Sequence, residues 1–231
     1  MVESTESELI LQVHVTLRIE LVVFDVDGTL TQHSSVWWRL HELFGTTKEG
    51  RVYFDQYFAG EISYQQWADY DVALWKGQAV SRVLKVVQDT RLVEGAKETI
   101  QTLQDHDIHT AILSGGLDIM AEDIARRVGI EFVLTNRLVH KNGYLTGTVE
   151  NVIGWAEKAS HIQKVLDHFG VEREQTAFVG DGRNDMSVFA VVGFSIAFNP
   201  ADQEVANAAT VAVKESDLRA ILPHIISGYQ R

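Results

Sequence analysis

Four short stretches hold residues whose types and spacing could do chemistry: Asp25-Val26-Asp27-Gly28-Thr29-Leu30, Ser114-Gly115-Gly116, Lys158, and Gly180-Asp181-Gly182-Arg183-Asn184-Asp185-Met186. Residues two apart on an extended chain point the same way, so Asp25 and Asp27 reach one pocket, and Gly28 lets the backbone turn sharply behind them. Two close anions repel; a cation between them relieves the strain, and hard oxygen ligands suit Mg²⁺. Asp181 and Asp185 repeat the pattern, with glycines around the first and a helix starting at the last. Ser114 with Gly115 and Gly116 offers a hydroxyl, close approach and free N–H groups at a helix start, the makings of an anion cradle. Four carboxylates that share a pocket with a phosphate dianion need fixed positive charge, which Mg²⁺ and Lys158 could supply.

The elements that must position these groups follow from hydrophobic periodicity. Leu21 to Asp25, Ile108 to Ser114, Glu131 to Thr135, Thr176 to Asp181 and Phe194 to Phe198 are short, β-branched or aromatic runs, as expected of strands buried in a parallel sheet. Helix-period segments lie between them at 95–106, 117–129, 155–169 and 184–191. The alternation predicts an α/β fold with a doubly wound parallel sheet, in which ligands bind beyond the carboxyl ends of the strands. Three of the stretches fall at such ends, and Lys158 lies near the start of the helix that precedes the fourth strand.

Residues 31–94 break the rhythm. They contain no convincing strand but 11 of the 21 aromatics, among them Trp37, Trp38, Trp67 and Trp75. They are expected to form an inserted helical module, its rings supplying a small core of its own and its surface a lid over a substrate. Leu9 to Glu20 alternates strictly, the pattern of a half-buried strand. It is read as an extra edge strand or a dimer contact. The expected division is a 1–19 extension, a core of 20–30 and 95–231, and a 31–94 cap, with the N-terminal strand or the cap as possible homodimer surfaces.

Composition removes whole classes of function. A net charge of −12 has the wrong sign for neutralising nucleic-acid phosphates or adhering to an anionic membrane. With no cysteine, disulfides, thiol nucleophiles and Cys-ligated zinc are excluded, leaving carboxylates, hydroxyls, His or Lys for catalysis. No apolar run approaches membrane-spanning length, and the acidic start MVESTESELI is unlike a secretory signal, so the protein is expected in the cytoplasm. The nine histidines form no convincing ligand cluster. Gly180 and Gly182 lack the third glycine of a dinucleotide fingerprint, and there is no Walker A sequence.

An aspartate pair, a Ser after the second strand, a Lys and then Gly-Asp-Gly-x-x-Asp, in that order, resemble the haloacid dehalogenase superfamily from Glu20 to Ile226. Leu113 to Asp118, Asn136 to Gly147 and Val179 to Asn199 are similar to its phosphoserine phosphatase branch. The resemblance implies a Rossmann-like core with a small helical (C1-type) cap and an Mg²⁺-dependent phosphomonoesterase acting on a small phosphorylated metabolite. It implies that Asp25 is the nucleophile and forms an aspartyl-phosphate, and that Asp27 is the general acid and base. Ser114, Gly115, Gly116, Lys158 and Asn184 would hold phosphate; Asp25, the Asp27 carbonyl and Asp181 would hold Mg²⁺, with Asp185 orienting metal-bound water or the lysine. Asp27 favours phosphoester chemistry over dehalogenation or phosphonate cleavage. The branch's two charged substrate readers in the cap are replaced here by Ser34 and the Asp69/Asp71 neighbourhood, with Arg39 and Arg51 as possible substitutes. That argues against free phosphoserine and for a larger or less anionic leaving group. The alternatives are a phosphotransferase of the same superfamily and a non-catalytic phospholigand-binding regulatory protein.

Overall fold

A computed structural model describes residues 18–33 and 35–226. Residues 1–17, where most of the alternating N-terminal strand is expected, and Ser34 lie outside the described residues.

The strands are β1 (Leu21–Phe24), β2 (His109–Leu117), β3 (Phe132–Lys141), β4 (Tyr144–Glu150), β5 (Thr176–Gly180), β6 (Phe194–Phe198) and β7 (Val211–Val213). They make one sheet in the order β4-β3-β2-β1-β5-β6-β7, parallel except for the β3–β4 pair. The chain winds outward from β1 on one side and then returns to β5 and winds out on the other. The order therefore reverses between β1 and β5, which opens a crevice at their carboxyl ends. Phe24, the last residue of β1, is level with Ile112 and Val179, so the segments that follow β1, β2 and β5 emerge side by side.

Both faces of the sheet are covered, which is why its strands read as continuous apolar runs. Leu21 and Val23 join Leu113 and Phe178 under α7 (Lys158–Phe169), α8 (Met186–Phe189) and α9 (Gln203–Ala208). Val22 and Phe24 face the other way, into a cluster with α5 (Ala96–Asp105), α6 (Asp118–Val128) and α10 (Leu222–Ile226).

Between β1 and α5 the chain forms α1 (Val36–Phe44), α2 (Thr47–Phe58), α3 (Tyr64–Leu74) and α4 (Val80–Gln88). Local chemistry sets their limits: Ser35 caps α1 by accepting from Trp38 N, Gly45 ends it at φ 71°, and Ser63 with Gln66 makes a reciprocal cap for α3. The expected separate core is only half of the arrangement. Leu40, Val72 and Trp75 belong to the same apolar cluster as Phe24 and Ile112, because the insert rests directly on one face of the sheet. The remaining rings stack among themselves, as Tyr57 does on Trp67 at 5.0 Å.

Two elements go beyond the periodicity. β3 does not stop near Thr135 but continues to Lys141 and turns back into β4 through Asn142 and Gly143, both with positive φ, a two-residue hairpin. This hairpin holds the insert from outside: Gly77 N donates to Leu145 O, Leu145 N to Gln78 O and Val80 N to Gly143 O. β7 extends the sheet by three residues. Among the described residues no helix is long and apolar enough to cross a membrane.

Candidate active site

Asp25, Asp27, Ser114, Gly115, Gly116, Lys158, Asp181 and Asn184 all line one cleft of about 730 Å³ at the carboxyl ends of β1, β2 and β5, roofed by α1 to α3. Asp185 lies behind its wall, fully buried.

Lys158 is the first residue of α7 and also completely buried. Its Nζ is 2.5 Å from Asp185 Oδ1 and 3.0 Å from Asp25 Oδ1. Burial opposes the ammonium charge, but the two carboxylates outweigh it and hold Lys158 above the usual lysine range. Asp185 is itself anchored, since its Oδ2 accepts from the N–H groups of Asp181 and Gly182 at 3.1 and 3.0 Å. It thus fixes the lysine and the loop after β5 together. Burial pushes the Asp185 carboxyl up to about 6 although the ammonium opposes it.

The approach of Lys158 to Asp25 is an ion pair by distance but not a hydrogen bond by angle, and Asp25 Oδ1 has no hydrogen-bond partner. A buried carboxylate oxygen without one is costly. Oxygens of Asp25, Asp181 and Asp185 lie within 4.8 Å of one another, a hard-donor set that suits a divalent cation. Thr29 Oγ1 steadies Asp181 by donating to its Oδ1 at 3.0 Å. Burial, followed by the charges of Asp25 and Asp185, raises Asp181 to about 8.

These shifts fix a pH dependence. The folded carboxyls of Asp181 and Asp27 titrate near 8 and 7, against about 4 in an unfolded chain. The stability they contribute as protonated groups is full below pH 4 and is lost as pH rises through 7 to 8. Each group then costs about 1.4 kcal/mol per pH unit across its window. Metal-free protein is therefore expected to have a lower Tm at pH 8.5 than at pH 6. Added Mg²⁺, which must displace these protons, is expected to raise Tm more at pH 8.5 than at pH 6. Calorimetry at the two pH values checks both signs.

Asp27 is only half-buried but walled in, and its Oδ2 accepts from Val36 N at 2.9 Å, the first N–H of α1. Burial raises its carboxyl to about 7, the Val36 bond opposes this and Asp25 adds to it. A carboxyl poised there can give and take a proton at neutral pH. Gly28 follows at φ 83°, and a methyl on it would lie 2.2 Å from Asp181 Oδ2. Gly28→Ala is therefore expected to lose activity about 100-fold by displacing Asp181, with a loss of roughly 1 to 3 kcal/mol in stability. Steady-state kinetics and thermal melts on the variant check it.

The Ser-Gly-Gly stretch differs from the expected helix start. It lies in the extended end of β2, where the register to β3 shifts between Leu113 and Leu117, and α6 begins only at Asp118. The two glycines permit that irregular backbone. Ser114 Oγ accepts from Gly116 N at 3.1 Å, and the Gly115 carbonyl is held out of the way by Trp37 Nε1 at 2.9 Å and Asn136 Nδ2 at 2.8 Å. Asn136, fully buried, and Thr29 are site-shaping residues that periodicity and motif spacing missed. Their partners lie 21 and 152 positions away, so no local pattern announces them.

Residues 22–190 match the haloacid dehalogenase-like hydrolase family. A phosphoserine phosphatase of Methanocaldococcus jannaschii is 32% identical over 209 residues, covering 89% of this chain and 97% of that protein. One from Archaeoglobus fulgidus is 29% identical over 195 residues, 83% of this chain but only 56% of that longer protein. The solved structure of a phospho-aspartyl intermediate analogue of phosphoserine phosphatase superimposes with a TM-score of 0.77 at 30% identity, covering 90% of this chain and 99% of the other. Sheet order, acidic cluster and sequence agree: the chain belongs to the haloacid dehalogenase-like hydrolase family, as a phosphatase of its phosphoserine phosphatase-like branch.

Proposed function

We propose that the protein hydrolyses a small phosphomonoester through a covalent phosphate on Asp25. The observation that carries this is the state of Asp25 itself, buried just after β1 with one oxygen that accepts no hydrogen bond and faces a fixed ammonium at 3.0 Å. An Asp25 oxygen attacks phosphorus in line as the ester P–O bond breaks, and Asp27 protonates the departing alcohol oxygen. Asp27 then takes a proton from the water that attacks the aspartyl-phosphate, which frees inorganic phosphate and restores Asp25. Ser114, the backbone of Gly115 and Gly116, Asn184 and Lys158 hold the phosphoryl oxygens. Residues 31–94 act as a cap that keeps bulk water from the cleft.

Mg²⁺ is the cation we assign to Asp25, Asp181, Asp185 and the Asp27 carbonyl. When bound it neutralises charge on the phosphoryl group and the carboxylates. The test is release of inorganic phosphate from p-nitrophenyl phosphate and a metabolite panel, with Mg²⁺ or with EDTA. Turnover is expected to fall at least ~100-fold on chelation and to return with Mg²⁺. Products formed with added alcohols separate hydrolysis from transfer, and no release from any ester would sink the proposal.

A further inference from the structure

The part of the cleft beyond Asp27 receives whatever alcohol the phosphate leaves, and its walls define that alcohol's chemistry. Trp37, Phe54, Tyr64 and Trp67 present ring surface, and the volume of about 730 Å³ exceeds what a three-carbon alcohol fills. The charges are arranged against an anionic leaving group. Asp71, 2% exposed, stands in the wall on α3 with His41 Nε2 at 3.1 Å as the basic group beside it.

Three of the four lining Lys and Arg residues already face carboxylates. Lys158 is held between Asp25 and Asp185, Arg51 pairs with Asp55 at 3.1 Å, and Arg183 pairs with Asp202 and Glu204 at 2.6 and 2.7 Å. Arg39 is anchored on Thr90 Oγ1 at 2.5 Å, where its charge is felt by Asp27 at the phosphate end of the cleft. A leaving-group carboxylate would be desolvated beside Asp71 and Glu42, with only Arg39, tied to Thr90, left among the lining Lys and Arg residues without a carboxylate partner. An uncharged alcohol with a flat C–H or aromatic face pays no such penalty and stacks on the walls.

Resting on the phosphatase function above, we propose that the substrate is a phosphomonoester of a neutral, carboxylate-free alcohol larger than serine, such as a sugar or an aryl alcohol, with Asp71 as the residue that excludes carboxylates. The experiment compares kcat/KM for O-phosphoserine, glycerol phosphate, a hexose phosphate and p-nitrophenyl phosphate. Glycerol phosphate matches phosphoserine in size without its charges. It is expected to be turned over at least tenfold better than phosphoserine, and the hexose or aryl ester better still; which of the two leads separates sugar from aryl chemistry. Asp71→Asn is expected to raise the phosphoserine to glycerol phosphate ratio about tenfold.

Wild-type enzyme that prefers phosphoserine would overturn the proposal. If that preference vanished in Arg39→Gln, Arg39 would be the carboxylate reader instead. The wild-type comparison decides even if Asp71→Asn fails to fold. Absence of release from all four esters would refute the phosphatase function itself, a distinct outcome.

Discussion

Asp25→Asn is expected to lower kcat by about 10⁴-fold or more while leaving the fold in place, because an amide oxygen is too weak a nucleophile to open a phosphoester and nothing else in the cleft can replace it. Ser114 also brings a hydroxyl to the cleft, but its Oγ is engaged as acceptor of the Gly116 N–H. The fold survives because two electrostatic changes oppose each other. The amide removes one of the charges that raise Asp181 and Asp185, and it also removes one of the two carboxylates that hold Lys158. Tm is expected to move by only a few degrees. Phosphate release and a thermal melt on one preparation check both halves; an unchanged kcat would remove Asp25 from the chemistry.

Lys158→Met should be costly in both respects. The ammonium is fully buried, 2.5 and 3.0 Å from two carboxylates and 5.7 Å above the Phe178 ring. Its removal leaves Asp25 and Asp185 facing each other in a dry site, and breaking a buried pair in this way costs about 3 to 5 kcal/mol. For a domain of this size that corresponds to roughly 10 °C in Tm. Protons can replace the missing charge on the carboxylates, so the deficit is expected to be larger at pH 8 than at pH 5. kcat is expected to fall about 10²- to 10³-fold, the usual effect of losing one preorganised donor to a transferring group. Lys158→Arg should rescue little, since a guanidinium does not fit a fully enclosed slot shaped for one ammonium. Urea titrations at the two pH values, with turnover on the same samples, test these expectations.

What the sequence made legible follows from the range of the interactions involved. The strands next to the site announced themselves because burial on both faces demands unbroken apolar runs, and the carboxylates stood out because each follows such a run within five residues. Other features depend on distant partners. Asn136 matters because it turns the Gly115 carbonyl, and Thr29 because it steadies Asp181; neither residue type is unusual where it stands. The β3–β4 hairpin had a local signal in Asn142-Gly143, but its purpose, holding the linker between α3 and α4, exists only in three dimensions. The helix expected at Ser114 was displaced to Asp118 because the two glycines let an irregular strand end provide the same close backbone approach. The cap aromatics divided between a shared core and a ring stack for a similar reason: hydrophobicity shows that a ring will be buried, not against what.

The most direct measurement is to mix the enzyme with a phosphoester substrate, quench within the first turnovers, reduce with borohydride and map the modified residue by mass spectrometry. An acyl phosphate is reduced at its carboxyl carbon, so the modification is expected on the peptide 21–30, at Asp25. It should be absent without substrate and absent in Asp25→Asn. Steady turnover with no acyl phosphate at Asp25, or with phosphate trapped on Ser114 instead, would contradict the mechanism.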